Sequence, residues 1–261
     1  RLLGAGGQCW RGGGWGRGGG EGGRGGGGGC AWGGGAVGVG GVGGAAGGSG
    51  GVCGVGGAGR LGDDAPLEVL LGDARRHVWV CGPGLTEAEV GRTLPVLVEA
   101  GRCVLADAGA LSAAAGQPDA LRGVAVMTPH AGEFARVFGA VGDDPPARVR
   151  QAARQTGAVV VLKGASTLIA APDGRLAINI HATPALGTAG SGDTLSGVIA
   201  AMLAAGVPVW EAACAGVWLH GEAGRRAGAW PVAEELDRHL GSARVEAERL
   251  QGLSAREQGL L

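Results

Sequence analysis

Several features that mark particular classes of protein are missing from this sequence. No apolar run reaches the length of a membrane span, and residues 1–4 lack the apolar core of a signal peptide. The net charge is only −1 at pH 7, so no basic excess marks a nucleic-acid partner. The six cysteines form no C-x-x-C pair and show no His/Cys metal spacing. We therefore expect reduced thiols, a cytoplasmic protein, and no membrane or nucleic-acid partner.

Glycine, by contrast, is abundant, with 60 residues, and it makes up most of residues 1–60. This tract has no hydrophobic period and no G-X-Y repeat, so it cannot bury enough apolar surface to offset its backbone entropy. We expect residues 1–62 to be a disordered low-complexity tract, followed by a catalytic domain at 63–242 and a polar tail at 243–261. Two other hypotheses for the tract stay open: an anion-binding glycine nest, and alanine codons read out of frame.

The pattern from residue 63 onward is typical of an α/β fold. Short apolar runs at 78–81, 103–106, 124–127 and 159–162 predict buried strands, and 167–171 with 175–180 predicts a hairpin. Helices are predicted at 86–100, 147–156, 210–224 and 232–240, with another beginning near residue 193 and ending at Gly206. Strands that alternate with helices predict a mostly parallel sheet covered by helices on both faces.

The glycine-rich stretch at 187–197 is the strongest functional signal. A glycine loop that runs into a helix start presents free N–H groups and a positive dipole end, which together bind anions. Asp193 lies in the first turn of that helix. A phosphate cradle beside a carboxylate can serve phosphoryl transfer to a hydroxyl, and the alternative is an ordinary turn capped by Ser191 or Asp193.

Four further polar or glycine motifs each follow a predicted strand. They are the turn at 82–85, Asp107, residues 128–133, and residues 163–167. In open α/β sheets ligands bind outside the carboxyl ends of the strands. We therefore expect these motifs and the glycine stretch to converge on one site.

Three of these motifs resemble those of a known family. T-P-H-A-G-E at 128–133, L-K-G at 162–164 with Thr167, and T-A-G-S-G-D at 188–193 resemble the ADP- or ATP-dependent NAD(P)H-hydrate dehydratases of the ribokinase-like superfamily. The resemblance covers roughly residues 77–240. It implies a three-layer ribokinase-like sandwich and a metabolite-repair lyase. Such an enzyme would phosphorylate the ring hydroxyl of the S-epimer of NAD(P)H hydrate, after which phosphate leaves and NAD(P)H returns.

The resemblance also implies roles for individual residues. Asp193 would be the catalytic base and a substrate contact, and Gly84 and His130 would also contact the hydrate. The nucleotide would be held by Lys163, Gly164, Ala165, Ser166, Thr167, Gly190, Ser191 and Gly192. Mg²⁺ is implied, with Glu133 as its carboxylate, and ADP or ATP would donate the phosphoryl group. Whether the protein forms a homo-oligomer stays open.

Several alternatives remain at this point. The family's first strand and its small-residue segment are not found in residues 1–62, which predicts an incomplete sheet and leaves open an inactive nucleotide-binding remnant. A vitamin-precursor kinase of the same fold is the other hypothesis. His220, flanked by apolar residues, is expected to be a packed helix histidine, and Trp79, Trp210 and Trp218 are expected in the core.

Overall fold

The structure, a computed structural model, describes residues 52–55 and 67–257. The predictions for 1–51, 56–66 and 258–261, which include most of the glycine-rich tract, lie outside the described residues. The strands are β1 Val52–Val55, β2 Val78–Cys81, β3 Cys103–Ala106, β4 Val126–Met127, β5 Val159–Leu162, β6 Thr167–Ala170 and β7 Leu176–Asn179. The helices are α1 Leu67–Leu71, α2 Glu87–Glu99, α3 Gly109–Ala113, α4 Ala131–Phe138, α5 Pro145–Thr156, α6 Ser191–Ala204, α7 Val209–Ala227 and α8 Ala233–Glu257.

The strands form one seven-stranded sheet whose spatial order follows the chain order, β1 to β7. The first five are parallel, and β6 and β7 add an antiparallel hairpin at the end of the sheet. The predicted mostly parallel α/β fold, the four buried strands and the hairpin are thereby confirmed. Because β3, β4 and β5 are neighbours and parallel, their carboxyl ends lie at one edge of the sheet.

Alternate residues of each strand enter two apolar layers, one on each face. Trp79 and Cys81 of β2 pack in one layer with helices α2 to α5, whereas Val78 and Val80 pack in the other with α6 and α7. This alternation follows from the period of two along a strand, with both faces covered. It confirms the three-layer arrangement, and α6 lies directly beneath the central strands.

A first strand exists, contrary to the prediction that residues 1–62 lack regular structure. β1 pairs in parallel with β2, from Val52 opposite Val78 to Val55 opposite Cys81. Sequence reasoning missed this strand because V-C-G-V has no clear hydrophobic period and contains a glycine. Its hydrogen bonds are made with the backbone of β2, a segment more than 20 residues away in the chain. The sheet therefore extends one strand beyond β2, while the predicted absence of the family's small-residue segment lies outside the described residues.

The last helix also differs from the prediction. α8 runs without a break from Ala233 to Glu257, so the expected helix end at 240 is wrong, while the division between a catalytic domain and a tail at 242/243 stays a prediction. Ala243 is fully buried against α7, in a cluster with Trp218, and Leu240 and Ala247 pack at its margin. The spacing of these residues makes one apolar stripe, too weak in composition to stand out among the charges of this segment. Among the described residues, no helix combines the length and apolar character needed to cross a bilayer.

Candidate active site

The predicted motifs do meet at the carboxyl edge of the central strands. Asp107 follows β3, Thr128 follows β4 and Lys163 follows β5. The backbone extends this pairing beyond the strands, because Lys163 N donates to Pro129 O at 2.8 Å. Sheet register thus fixes the T-P-H segment beside the lysine.

Lys163, the only lysine in the chain, lies between two acidic side chains. Its Nζ donates to Asp107 Oδ1 at 3.1 Å and lies 3.9 Å from Glu133 Oε2. Asp107 is only 2% exposed, while the lysine side chain keeps 22% of its surface accessible. The ammonium is therefore held in place by the buried carboxylate of Asp107, and it remains accessible enough to bind an anionic ligand as a point charge.

The start of α6 has the form of an anion cradle. Its N-cap, Gly190, adopts φ +83°, a left-handed conformation that favours glycine, and no side chain caps this end. The amides of Gly192 and Asp193 donate to no group among the described residues. A methyl placed on Gly192 would lie 3.2 Å from the Lys163 ammonium, so the cradle and the cation adjoin. Free amides and a lysine at a helix N-terminus are a phosphate-binding arrangement.

Asp193 is half-buried in the first turn of α6 and interacts electrostatically with both Asp107 and Lys163. Burial raises the pKa of Asp193, and the charge of Asp107 raises it further, whereas Lys163 lowers it. A carboxylate with a raised pKa is a better proton acceptor than an ordinary surface aspartate. The structure therefore places a base candidate beside the phosphate cradle.

His130 is the N-cap of α4. Its Nδ1 accepts from the amides of Gly132 at 3.0 Å and Glu133 at 3.3 Å. Because Nδ1 is an acceptor, the neutral ring carries its proton on Nε2, assigned here from the hydrogen bonds. The ring is 53% exposed, so this N–H can be donated to a ligand.

Glu133 completes the capping box, since its Oε2 accepts from His130 N at 2.8 Å. Glu133 therefore stabilises the start of α4, a role separate from the Mg²⁺ ligand that the resemblance implies. No group of three or more His, Cys, Asp or Glu residues able to hold a metal occurs in the part of the chain that the structure describes. Mg²⁺ in nucleotide sites is commonly held by one or two carboxylates together with phosphate oxygens. Glu133, whose Oε2 lies 3.9 Å from Lys163 Nζ, stays the predicted protein carboxylate of such a site.

The other predicted residues lie on surrounding loops. Gly84 is exposed in the turn after β2, where Leu85 N donates to Gly82 O at 3.0 Å. Gly164, Ala165 and Ser166 form the exposed loop between β5 and β6. Thr167 differs, because it begins β6 and is buried.

Sequence reasoning missed the connection of His220 to the site. As expected, His220 is buried in α7, but its Nε2 lies 2.9 Å from Ser191 Oγ at the start of α6. Burial lowers the pKa of His220 to about 4, and the Lys163 charge lowers it as well, whereas a hydrogen bond with the Ser191 backbone raises it. The buried ring is therefore neutral near pH 7, and its hydrogen bond with the Ser191 hydroxyl joins α7 to the start of α6. Ser191 lies in the predicted nucleotide motif, so its hydroxyl is turned toward the protein interior.

Comparisons with known proteins point to one family. A model of the family described as NAD(P)H-hydrate dehydratase matches residues 62–243. The ADP-dependent (S)-NAD(P)H-hydrate dehydratase of Neisseria meningitidis is 45% identical over 159 residues, which are 56% of this chain and 54% of that protein. The bifunctional NAD(P)H-hydrate repair enzyme Nnr of Mycobacterium tuberculosis is 46% identical over 144 residues, 53% of this chain and 30% of that enzyme.

A solved structure agrees with these relatives. The ADP/ATP-dependent NAD(P)H-hydrate dehydratase of Bacillus subtilis, co-crystallised with ATP/Mg²⁺, superposes with a TM-score of 0.57 at 29% identity. The match covers 65% of this chain and 64% of that one. The chain therefore spans about half of the Neisseria relative, less than a third of the Mycobacterium enzyme and under two thirds of the Bacillus chain.

Proposed function

Because this chain belongs to the NAD(P)H-hydrate dehydratase family, we propose that it dehydrates the S-epimer of NAD(P)H hydrate back to NAD(P)H, using ADP or ATP. The observation that carries the proposal is the adjacency of three groups. The free amides at the start of α6, the Lys163 ammonium and the Asp193 carboxylate lie together at the sheet edge. One part holds a terminal phosphate and another takes a proton, which phosphoryl transfer to a hydroxyl requires.

The reaction has two steps, a phosphoryl transfer and an elimination of phosphate. Asp193 accepts the proton of the ring hydroxyl, whose oxygen bonds to the terminal phosphorus of ADP while the bond to the bridging oxygen breaks and AMP leaves. The carbon–oxygen bond to the new phosphate then breaks, and phosphate leaves with the bonding electrons. A neighbouring ring carbon releases a proton as the double bond of the dihydronicotinamide re-forms.

The cradle and the lysine act on the charge of the transferred group. The amides of Gly192 and Asp193 and the ammonium of Lys163 stabilise negative charge on the phosphoryl oxygens. Mg²⁺ would neutralise further phosphate charge when bound, with Glu133 as its protein carboxylate. The remaining nucleotide contacts are proposed for Gly164, Ala165, Ser166, Thr167, Gly190 and Ser191.

The hydrate is proposed to lie on the opposite side of Asp193, against Gly84 and His130. The exposed Nε2–H of His130 can donate to a carboxamide or a phosphate oxygen. Its orientation is supported by the two amides that bond to Nδ1. The left-handed φ of Gly84, +72°, supports a tight turn at which the backbone can approach a ligand.

The decisive assay mixes the purified chain with the S-epimer of NADH hydrate, ADP and Mg²⁺, and follows NADH absorbance together with released phosphate. We expect NADH and phosphate to appear in equal amounts. Reactions without nucleotide, and reactions with the R-epimer, are the matched controls and should give none. No NADH from the S-epimer with either ADP or ATP would overturn the proposal.

The same assay separates the two alternative functions. A vitamin-precursor kinase would leave a stable phosphorylated product and no dehydration. An inactive remnant would bind ADP without turnover. The remnant hypothesis rests on the absence of the family's first strand and small-residue segment, and the pairing of β1 with β2 is an argument against part of that premise.

The location of the protein in the cell and its oligomeric state are also part of the proposal. We place the protein in the cytoplasm, where its cofactor substrates occur, and fractionation with an antibody against the chain would check this. Homo-oligomer formation would be measured by light scattering of the purified protein.

A further inference from the structure

The buried carboxylate of Asp107 has no role in the function proposed above, yet it accepts three hydrogen bonds. Its Oδ1 accepts from Lys163 Nζ at 3.1 Å and from Ala108 N at 2.9 Å. Its Oδ2 accepts from Ser196 Oγ at 2.8 Å. A carboxylate that is 2% exposed remains ionised only if such partners replace water.

These partners connect elements that are far apart in the chain. Asp107 follows β3, Lys163 follows β5, and Ser196 lies in the second turn of α6. Ser196 Oγ also lies 3.2 Å from Thr128 Oγ1, which follows β4. One buried network thus joins three adjacent strand ends to the helix that carries the phosphate cradle.

Ser196 and Asp193 are three residues apart on α6 and so lie on the same face of the helix. A bond that fixes Ser196 therefore also fixes the rotation of the helix that presents Asp193. The other oxygen of the same carboxylate fixes the lysine beside the cradle. We propose that Asp107 is a positioning residue, which holds the Lys163 ammonium and the first two turns of α6 in one geometry, so that the cradle holds the phosphoryl group while Asp193 reaches the attacking hydroxyl.

This inference rests on the proposed function and has a consequence that a purely structural residue would not have. The charged groups that act on Asp193 are Asp107, from the end of β3, and Lys163, from the end of β5. Glu133 of α4 lies 3.9 Å from Lys163 Nζ, and the charge of Lys163 acts on His220 of α7, but neither Glu133 nor His220 contributes to the pKa shift of Asp193. Because two nearby carboxylates disfavour each other's ionised form, the negative charge of Asp107 makes Asp193 harder to ionise.

The test is Asp107→Asn, which keeps the shape and a hydrogen-bond acceptor for Ser196 but removes the charge. Its matched control is Ser196→Ala, which removes the bond to α6 and keeps the charge. The Asp193 carboxyl is titrated by NMR in protein labelled with ¹³C-aspartate, with Asp193→Asn to assign the signal. We expect Asp107→Asn to move the Asp193 titration to lower pH and Ser196→Ala to leave its midpoint in place.

Kinetics give the second measurement. In Asp107→Asn we expect kcat to fall by up to about 100-fold as the reacting groups lose alignment, with a smaller change in the KM for ADP. The acid limb of the kcat profile should move in the same direction as the NMR midpoint. An unchanged Asp193 titration, or equal kinetic effects of both variants at every pH, would overturn the inference.

Failure of the inference and failure of the function are distinguishable. A wild-type chain that does not dehydrate the hydrate refutes the function, while the NMR titration still decides the role of Asp107. Removal of Asp107 alone could also prevent folding, because it leaves Lys163 without its partner. In that case Lys163→Gln alone is compared with the double variant Lys163→Gln, Asp107→Asn. The Asp193 carboxyl must titrate at a lower pH in the double variant than in Lys163→Gln alone.

Discussion

Protonation of His220 should destabilise the fold by an amount that can be worked out from the structure. The imidazole is buried in α7, and its Nε2 lies 2.9 Å from Ser191 Oγ. Burial lowers its pKa from 6.5 to about 4. A second proton on the ring would place a charge in the interior, where the charge of Lys163 also opposes it.

The direction of the pH dependence follows from proton binding in the two states. In the unfolded chain the imidazole takes up a proton near pH 6.5, whereas in the folded state it stays neutral to about pH 4. The unfolded state therefore binds more protons between these values, and the free energy of unfolding falls as pH is lowered through this window. The full loss is about 3 kcal/mol, of which about 2 kcal/mol occurs between pH 7 and pH 5.

Urea denaturation at pH 7, 6 and 5 measures this loss, and His220→Gln isolates it. Glutamine can bond to Ser191 but does not titrate, so the pH slope of the variant should be shallower by about 2 kcal/mol over the interval. The carboxylates contribute equally to both proteins and cancel in the difference. Identical slopes for wild type and variant would refute the assignment of a neutral, buried imidazole.

Two glycine substitutions test the site and the packing beneath it. Gly192→Ala adds a methyl 3.2 Å from the lysine ammonium, and calorimetry should show that ADP binds about 10-fold or more weakly. The control Gly187→Ala adds a methyl with no atom within 4 Å and should bind ADP as the wild type does. Gly221→Ala places a methyl 1.9 Å from a backbone carbonyl oxygen of the loop before the glycine motif. Chemical denaturation should therefore show a free energy of unfolding lower by about 3 kcal/mol. The control Gly91→Ala, in open space on α2, should leave the free energy of unfolding unchanged or raise it.

Sequence reasoning succeeded where the signal is local. The helix predicted at 86–100 is present as α2, Glu87–Glu99, and its start is fixed by a local capping box in which Thr86 N donates to Glu89 Oε2 at 2.8 Å. The motifs after the strands could be placed at one edge because parallel strands share a direction. Asp107 and Lys163 could therefore be expected to meet before their 3.1 Å contact was seen.

The features that were missed depend on distant partners. The sequence of β1, V-C-G-V, has no period that predicts a strand. The strand is defined by its backbone pairing with β2, which the local sequence does not indicate. The length of α8 depends on Ala243 packing against α7. The contact of His220 with Ser191 joins residues 29 positions apart, and nothing in the sequence near either residue indicates it.

The most direct test of the central claim compares wild type with Asp193→Asn at saturating ADP, Mg²⁺ and S-hydrate, with ADP affinity measured on the same preparations. If Asp193 is the proton acceptor beside a phosphate cradle made by other groups, ADP affinity should be retained. The rate of NADH formation should fall by about 100-fold or more. A variant that binds ADP and still forms NADH at close to the wild-type rate would contradict the assignment of Asp193 as the base.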